Sequence, residues 1–147
     1  MKKVGLFLCF LILCISNVFA EQCFIVKEKD KIIHQEGDCD QRYAPCSTFK
    51  IALSLIGYDL GILVDEMNPS WPFKKGYPAF LDVWKQDQMP TSWMKNSCVW
   101  YSQVLTEKIG MQKFQSYITK FNYGNMDLSG DKGKNNGLTN AWLSSSL

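Results

Sequence analysis

The hydrophobic pattern of the chain predicts a β-hairpin followed by mostly helical structure. Two short runs of β-forming residues, 23–27 and 31–35, are separated by the polar residues 28–30, an arrangement typical of a hairpin. The single histidine, His34, lies in the second run, where a solvent-facing strand position is expected. A catalytic triad or a multi-histidine metal site would therefore depend on His34 alone.

Helical patterns dominate the rest of the chain. Residues 47–58 are apolar on all sides, which predicts a buried helix. Residues 96–109 also have a helical pattern, and residues 111–121 place apolar side chains at the spacing of an amphipathic helix. Residues 65–90 contain four of the five prolines and five aromatic residues, which indicates an irregular segment that is too aromatic to be a flexible linker. Residues 129–140 are rich in Gly, Asn, Asp and Lys, which predicts a loop.

Residues 1–20 have the pattern of an export signal. They begin with Lys2 and Lys3 and continue as an apolar run that is interrupted at three positions. This pattern is typical of a cleaved signal peptide, and it predicts a mature domain over residues 21–147 that is exported to the periplasm with no stable membrane anchor. A retained N-terminal anchor is the alternative, although the run is short for a membrane-spanning helix.

Composition and charge exclude several classes of protein. The chain has 147 residues, of which 46% are hydrophobic and 20% are charged, and this globular balance excludes a disordered tail or a coiled coil. The net charge of +2 comes from the two lysines of the signal, because residues 21–147 contain 14 basic and 14 acidic residues. Such a neutral domain gives no indication of nucleic-acid binding.

Four of the six cysteines lie beyond the signal, namely Cys23, Cys39, Cys46 and Cys98. In an exported protein they permit up to two disulfides, with three possible connectivities. Cys39 and Cys46 flank a turn-like segment, so they are the first expected pair. Free thiols are the alternative.

The motif Ser-Thr-Phe-Lys at residues 47–50 is the first candidate for catalytic chemistry. Ser47 and Lys50 project from the same face of a helix, and Ser47 lies at the N-terminus, where free N–H groups and the helix dipole favour negative charge. Apolar neighbours predict a buried Lys50 amine with a lowered pKa, able to accept the proton of a serine nucleophile. The alternative is a serine N-cap beside a lysine that reaches solvent.

Three other serines share features of this motif. Ser92 precedes Lys95, and Ser129 precedes Lys132, at the same spacing, but neither lysine has apolar residues on both sides. Ser97 stands at a predicted helix start and offers a second hydroxyl that can relay a proton to a leaving nitrogen. A structural N-cap is the alternative for Ser97.

Taken in order, these residues resemble the class D serine β-lactamases, the oxacillinases. That family carries Ser-Thr-Phe-Lys, Ser-x-Val, Tyr-Gly-Asn, a tryptophan, and then Lys-Thr-Gly or Lys-Ser-Gly. The first four occur here at residues 47–50, 97–99, 123–125 and Trp142, and further matching segments are 43–47, 71–73, 90–94 and 129–143. The resemblance covers essentially all of residues 21–147. It implies an α/β (α+β) fold of the serine β-lactamase and penicillin-binding transpeptidase type.

The resemblance also implies a role for each residue. Ser47 would be the nucleophile that a β-lactam substrate acylates. Lys50, carboxylated by carbon dioxide, would be the general base without a metal or organic cofactor, and Trp142 would support that carbamate. Ser97 would relay a proton to the lactam nitrogen. The substrate pocket would be lined by Val99, Tyr123, Gly124 and Asn125.

One motif of the family is missing from the sequence. Neither Lys-Thr-Gly nor Lys-Ser-Gly occurs before the last residue, Leu147, and in the family this triad lies on an inner strand of the sheet. The sequence therefore predicts a truncated fold, with an N-terminal hairpin and a mostly helical region but without the C-terminal strands, that is inactive by itself. The alternatives are a non-hydrolytic penicillin-binding or sensor domain, and a small disulfide-bonded module without catalysis.

Overall fold

The computed structural model describes residues 23–42 and 44–128. The chain divides into two compact units, one ending at Gln41 and the other beginning at Arg42. The described elements are β1 (Cys23–Glu28), β2 (Lys31–Gly37), α1 (Phe49–Asp59), α2 (Pro90–Asn96), α3 (Val99–Ile109), α4 (Met111–Lys120), and two short 3-10 helices (Cys46–Thr48 and Asp82–Trp84). Within these ranges no helix has both the length and the apolar character that a membrane span needs.

The first unit contains the predicted hairpin. Strands β1 and β2 pair antiparallel, with Cys23 opposite Gly37 and Val26 opposite His34. Lys29 turns the chain with a left-handed φ of 52°. His34 is exposed on β2, as the sequence pattern predicts, and the hairpin is confirmed.

The expected disulfide between Cys39 and Cys46 is wrong. Cys39 is bonded to Cys23 instead, and Cys46 is an exposed free thiol. The strand register explains the difference, because Cys23 pairs with Gly37 at the end of β2 and Cys39 follows only two residues later. The two Cα atoms are 4.8 Å apart, whereas proximity along the chain had favoured Cys46.

Removal of this disulfide by Cys23→Ser is expected to loosen the hairpin. A two-stranded sheet is marginal by itself, and closing a loop of this size contributes about 3 kcal/mol. Trypsin should then cut faster at Lys27 and Lys31, as followed by mass spectrometry of the fragments. Cys46→Ser is the control and should leave the cleavage rate unchanged. Recovery of a peptide joining Cys39 to Cys46 from the unreduced protein would contradict the assignment.

Helix α1 is buried on one face rather than on all sides. Phe49, Leu53 and Ile56 are fully buried, whereas Ile51 is 60% exposed and Leu55 is 57% exposed. The prediction of burial all round is therefore wrong. The core packs against the face that carries Phe49, and the face that carries Ile51 and Leu55 is largely exposed.

The pattern that predicts one helix over residues 96–109 corresponds to the end of α2 and all of α3. Ser97 interrupts the helical backbone with φ 53° and ψ 39°, and α3 begins at Val99. The predicted amphipathic helix is confirmed as α4, which buries Phe114 and Ile118. The irregular segment 65–90 is also confirmed, with a single 3-10 turn.

Aromatic side chains form much of the core of the second unit. Trp93, Trp100 and Tyr101 are fully buried, and the rings of Trp93 and Tyr101 stack with centroids 5.2 Å apart. Gly57 permits the close approach of Leu63, because a Cβ at position 57 would lie 2.8 Å from the Leu63 side chain. The resulting core fixes α1 and α3 against each other, and these helices carry the site described next.

Candidate active site

Three polar side chains from separate segments meet at the start of α1. The Lys50 amine donates a hydrogen bond to Ser47 Oγ at 3.3 Å. The Ser97 hydroxyl donates to the same oxygen at 2.9 Å, although 50 residues separate the two serines. The structure thus brings together Ser47, Lys50 and Ser97.

Ser47 is presented by a 3-10 turn rather than by the first turn of the α-helix. Cys46 has a left-handed φ of 47°, and the backbone and hydroxyl of Thr48 both donate to the carbonyl of Pro45, at 3.1 and 2.6 Å. These bonds close the turn and leave Ser47 exposed to solvent. Ser47 is not the N-cap of α1, because that position belongs to Thr48.

Lys50 is buried within α1. Among the described residues, the other lysine that follows a serine by three positions is Lys95. The side chain of Lys50 is 2% exposed, while Lys95 is exposed. Burial disfavours the ammonium form and lowers the pKa of Lys50, and the neighbouring Cys98 thiol acts in the opposite direction. A neutral amine is therefore accessible beside Ser47 at lower pH than for a solvated lysine.

Cys98 is a neighbour of the site that sequence reasoning considered only as a disulfide candidate. It is fully buried, unpaired with another cysteine, and forms the N-cap of α3. Burial raises the pKa of the Cys98 thiol, and the neighbouring Lys50 acts in the opposite direction. No local signal in the sequence reports this proximity, because it depends on how α3 packs against α1.

The Tyr-Gly-Asn turn follows α4 and contacts α1. The Tyr123 ring packs edge-to-face on Phe49, with centroids 5.2 Å apart, and Phe49 directly precedes Lys50. Gly124 adopts a left-handed φ of 57°, and Asn125 Oδ1 accepts a hydrogen bond from the backbone of Asp127 at 3.1 Å. This turn therefore contacts α1 at Phe49, the residue next to Lys50.

An apolar groove lies beside α1, and its lining does not include Ser47, Lys50 or Ser97. This open groove of about 350 Å³ is lined by Thr48, Ile51, Ala52, Leu55, Phe121 and Tyr123. Val99 is half-buried and packs against the hydrophobic core at the start of α3. Trp142 lies outside the described residues. In the parts of the chain that the structure describes, no three His, Cys, Asp or Glu side chains cluster as metal ligands.

Comparison with known proteins identifies the family. Residues 24–147 match the penicillin binding protein transpeptidase domain. The chain is 45% identical over 116 residues to "Beta-lactamase OXA-9" of Klebsiella pneumoniae, which covers 78% of this chain and 42% of that protein. It is 34% identical over 122 residues to "Methicillin resistance mecR1 protein" of Staphylococcus aureus, covering 82% of this chain and 19% of that protein.

A solved structure agrees with the sequence comparison. The class D β-lactamase OXA-427 has a TM-score of 0.72 and 56% identity, over 80% of this chain and 48% of that protein. The chain thus spans less than half the length of these relatives. Its two-stranded sheet and four described helices correspond to part of the β-lactamase and transpeptidase fold. The chain belongs to the penicillin-binding protein transpeptidase domain family, in which it resembles the class D β-lactamases.

Proposed function

We propose that the protein, as its gene encodes it, hydrolyses β-lactam antibiotics through an acyl-enzyme on Ser47, and that this activity confers resistance to them. The observation that carries the proposal is the convergence of Lys50 Nζ and Ser97 Oγ on Ser47 Oγ, at 3.3 and 2.9 Å. Acyl transfer requires a nucleophile within hydrogen-bond reach of a base. The β-lactamase relatives supply the substrate class.

Acylation begins when Ser47 Oγ attacks the carbonyl carbon of the lactam ring. The new C–O bond forms, the ring C–N bond breaks, and the nitrogen must gain a proton as it leaves. Neutral Lys50 accepts the proton of Ser47, the Ser97 hydroxyl gives its proton to the lactam nitrogen, and Ser97 regains a proton from protonated Lys50. The net result is transfer of the Ser47 proton to that nitrogen. Attack of water on the ester then releases the product acid and restores Ser47.

The resemblance further suggests that Lys50 is carboxylated by carbon dioxide. The residues present fit this modification, because burial lowers the pKa of Lys50 and the neutral amine is the form that adds to carbon dioxide, with release of one proton. In the carboxylated form the anionic carbamate oxygen, in place of the neutral amine, would accept the proton of Ser47. We propose Trp142 as the support of the carbamate and, as the lining of the substrate pocket, Val99, Tyr123, Gly124 and Asn125.

We propose that residues 1–20 are a signal peptide and that residues 21–147 act in the periplasm. The basic start and short apolar run support export. The disulfide between Cys23 and Cys39 also supports it, because disulfides persist in oxidising compartments. The proposed partner is the small β-lactam substrate.

The test is to incubate the protein, as its gene encodes it, with a fluorescent penicillin while following nitrocefin hydrolysis in the same sample. Peptide mass spectrometry should locate the adduct on Ser47, and hydrolysis should continue. A stable adduct without hydrolysis would contradict turnover and support a non-hydrolytic penicillin-binding or sensor domain, an alternative that the similarity to the mecR1 protein favours. Absence of any adduct on Ser47 would contradict acylation.

Substitutions at Ser97 separate proton relay from backbone strain. Both Ser97→Ala and Ser97→Gly remove the hydroxyl, so each should slow acylation by about 100-fold. Because Ser97 has φ 53°, the glycine variant should be more stable than the alanine variant by about 1 kcal/mol. Stopped-flow labelling and urea unfolding measure the two effects. A glycine variant with the full acylation rate would exclude the relay role.

A further inference from the structure

The turn between α2 and α3 holds Ser97 in a left-handed conformation that two backbone hydrogen bonds close. A left-handed backbone costs a non-glycine residue about 1–2 kcal/mol. Within the turn, the Ser97 amide reaches the Met94 carbonyl only at 3.4 Å, and the Cys98 amide donates to the Trp93 carbonyl at 3.0 Å. These two bonds cap α2 locally, and a hydrogen bond from outside the turn can fix the orientation of the Ser97 peptide further.

Trp84 provides such contacts on both sides of Ser97. Its indole Nε1 donates to the Asn96 carbonyl at 2.8 Å, and its own carbonyl accepts from Trp100 Nε1 at 2.8 Å. Trp84 is 6% exposed and Trp100 is fully buried, so neither bond competes freely with water. One residue thus ties the peptide that precedes Ser97 to the first turn of α3.

The 3-10 helix Asp82–Trp84 that carries this tryptophan is itself fixed. Gln88 Nε2 donates to the Val83 carbonyl at 2.7 Å, and the backbones of Trp71 and Gln88 form two hydrogen bonds with each other, at 2.8 and 3.0 Å. These hydrogen bonds fix the segment that carries Trp84 next to the turn.

We propose that Trp84 is a positioning residue that holds the Ser97 hydroxyl against Ser47. The Asn96 carbonyl lies in the same peptide plane as the Ser97 amide, so anchoring it fixes the rotation about N–Cα that aims the Ser97 side chain. The two hydroxyl oxygens are 2.9 Å apart, and a displacement of about 1 Å at a reacting group can cost about 100-fold in rate. The inference rests on the proposed acylation of Ser47.

The test is a double-mutant cycle between Trp84→Phe and Ser97→Ala in the protein as its gene encodes it. Phenylalanine keeps an aromatic ring but removes the N–H donor, and acylation by a fluorescent penicillin should slow by about 10-fold. In the Ser97→Ala background the same substitution should have no further effect, because the group that it positions is gone. Equal slowing in both backgrounds would overturn the proposal.

A matched control separates positioning from loss of stability. Trp93 is also fully buried and donates its indole N–H to Ser102 Oγ at 2.9 Å, but that bond does not reach the peptide before Ser97. Trp93→Phe should lower the melting temperature while changing the acylation rate by less than about two-fold. If Trp84→Phe does not fold, Trp100→Phe is used in its place, because it removes the hydrogen bond from Trp100 Nε1 to the Trp84 carbonyl. Slowing by Trp93→Phe equal to that by Trp84→Phe would overturn positioning.

Amide hydrogen exchange tests the geometry without any β-lactam. In Trp84→Phe, exchange at the Ser97 and Cys98 amides should rise by about 10-fold relative to the interior of α3. Unchanged protection at both amides would overturn the proposal even if acylation slows. Failure of the unsubstituted protein to form a penicillin adduct would instead refute the proposed function. The exchange rates of the Ser97 and Cys98 amides would then still decide whether Trp84 holds the turn.

Discussion

Replacing Ser47 with alanine is expected to abolish the penicillin adduct and nitrocefin hydrolysis together. Ser47 Oγ is the atom on which both Lys50 Nζ and Ser97 Oγ converge, and its removal leaves the proposed base and relay with no nucleophile to serve. We expect the acylation rate to fall by about 10⁶-fold, the scale seen when a serine nucleophile is lost from a hydrolase. Because Ser47 is exposed, the unfolding free energy should change by less than about 0.5 kcal/mol.

Ser54→Ala is the matched control for this experiment. Ser54 lies on α1 and its hydroxyl donates only to the nearby carbonyl of Ile51, at 2.9 Å. The variant should acylate at the unsubstituted rate. Retention of the adduct in Ser47→Ala, mapped to the same peptide, would show that another group is the nucleophile.

Replacing Lys50 with methionine is expected to separate activity from stability. The variant keeps an unbranched side chain of similar length but loses the only amine that the structure places beside Ser47 among the described residues. Loss of the general base should slow acylation by about 1,000-fold or more. At neutral pH the unfolding free energy should rise by about 1 kcal/mol, because burying an amine below its unfolded-state pKa costs free energy that an apolar side chain does not cost.

The pH dependence of stability should change in the same variant. Burial lowers the pKa of Lys50 in the folded state below its value in the unfolded chain. Between those two pKa values the unfolded state binds more protons, so the unfolding free energy rises with pH through that window, and below it the full cost of burying the charge applies. Lys50→Met should lose this rise, which urea titrations at a series of pH values measure.

Lys95→Met provides the comparison. Lys95 is exposed on α2 and should tolerate the change with no effect on acylation or on the pH dependence of unfolding. If Lys50→Met destabilises the protein at neutral pH, or retains the acylation rate, the assignment of a buried neutral base is wrong.

In the unsubstituted protein, acylation should rise with pH as Lys50 loses its proton and should level off below the pH at which a solvated lysine titrates.

Local patterns were sufficient where a structure depends on neighbours along the chain. Two runs of β-forming residues separated by polar residues predicted the hairpin that is observed as β1 and β2, and the helical spacing after Gly110 predicted α4. The burial of Lys50 also followed from its apolar neighbours, because α1 must turn part of its surface to the core. The resemblance to a family extended these patterns to specific roles.

Other expectations failed where partners come from distant parts of the chain. The spacing of Cys39 and Cys46 suggested a pair, but the antiparallel register brings Cys39 to Cys23. The composition of α1 suggested burial all round, yet Ile51 and Leu55 face outward. Hydrophobicity shows that a side chain can be buried, but tertiary packing decides whether another part of the chain covers it.

The sequence by itself determined the residue types of the site and the proximity of Ser47 to Lys50, since residues three apart in a helical turn are neighbours by local geometry. Tertiary structure alone decided that Ser97 reaches Ser47 across 50 residues, and that Trp84 anchors the turn that holds it. The physical reason is that those contacts are made by the packing of α1, the 3-10 helix Asp82–Trp84 and α3, which no spacing within a single segment encodes.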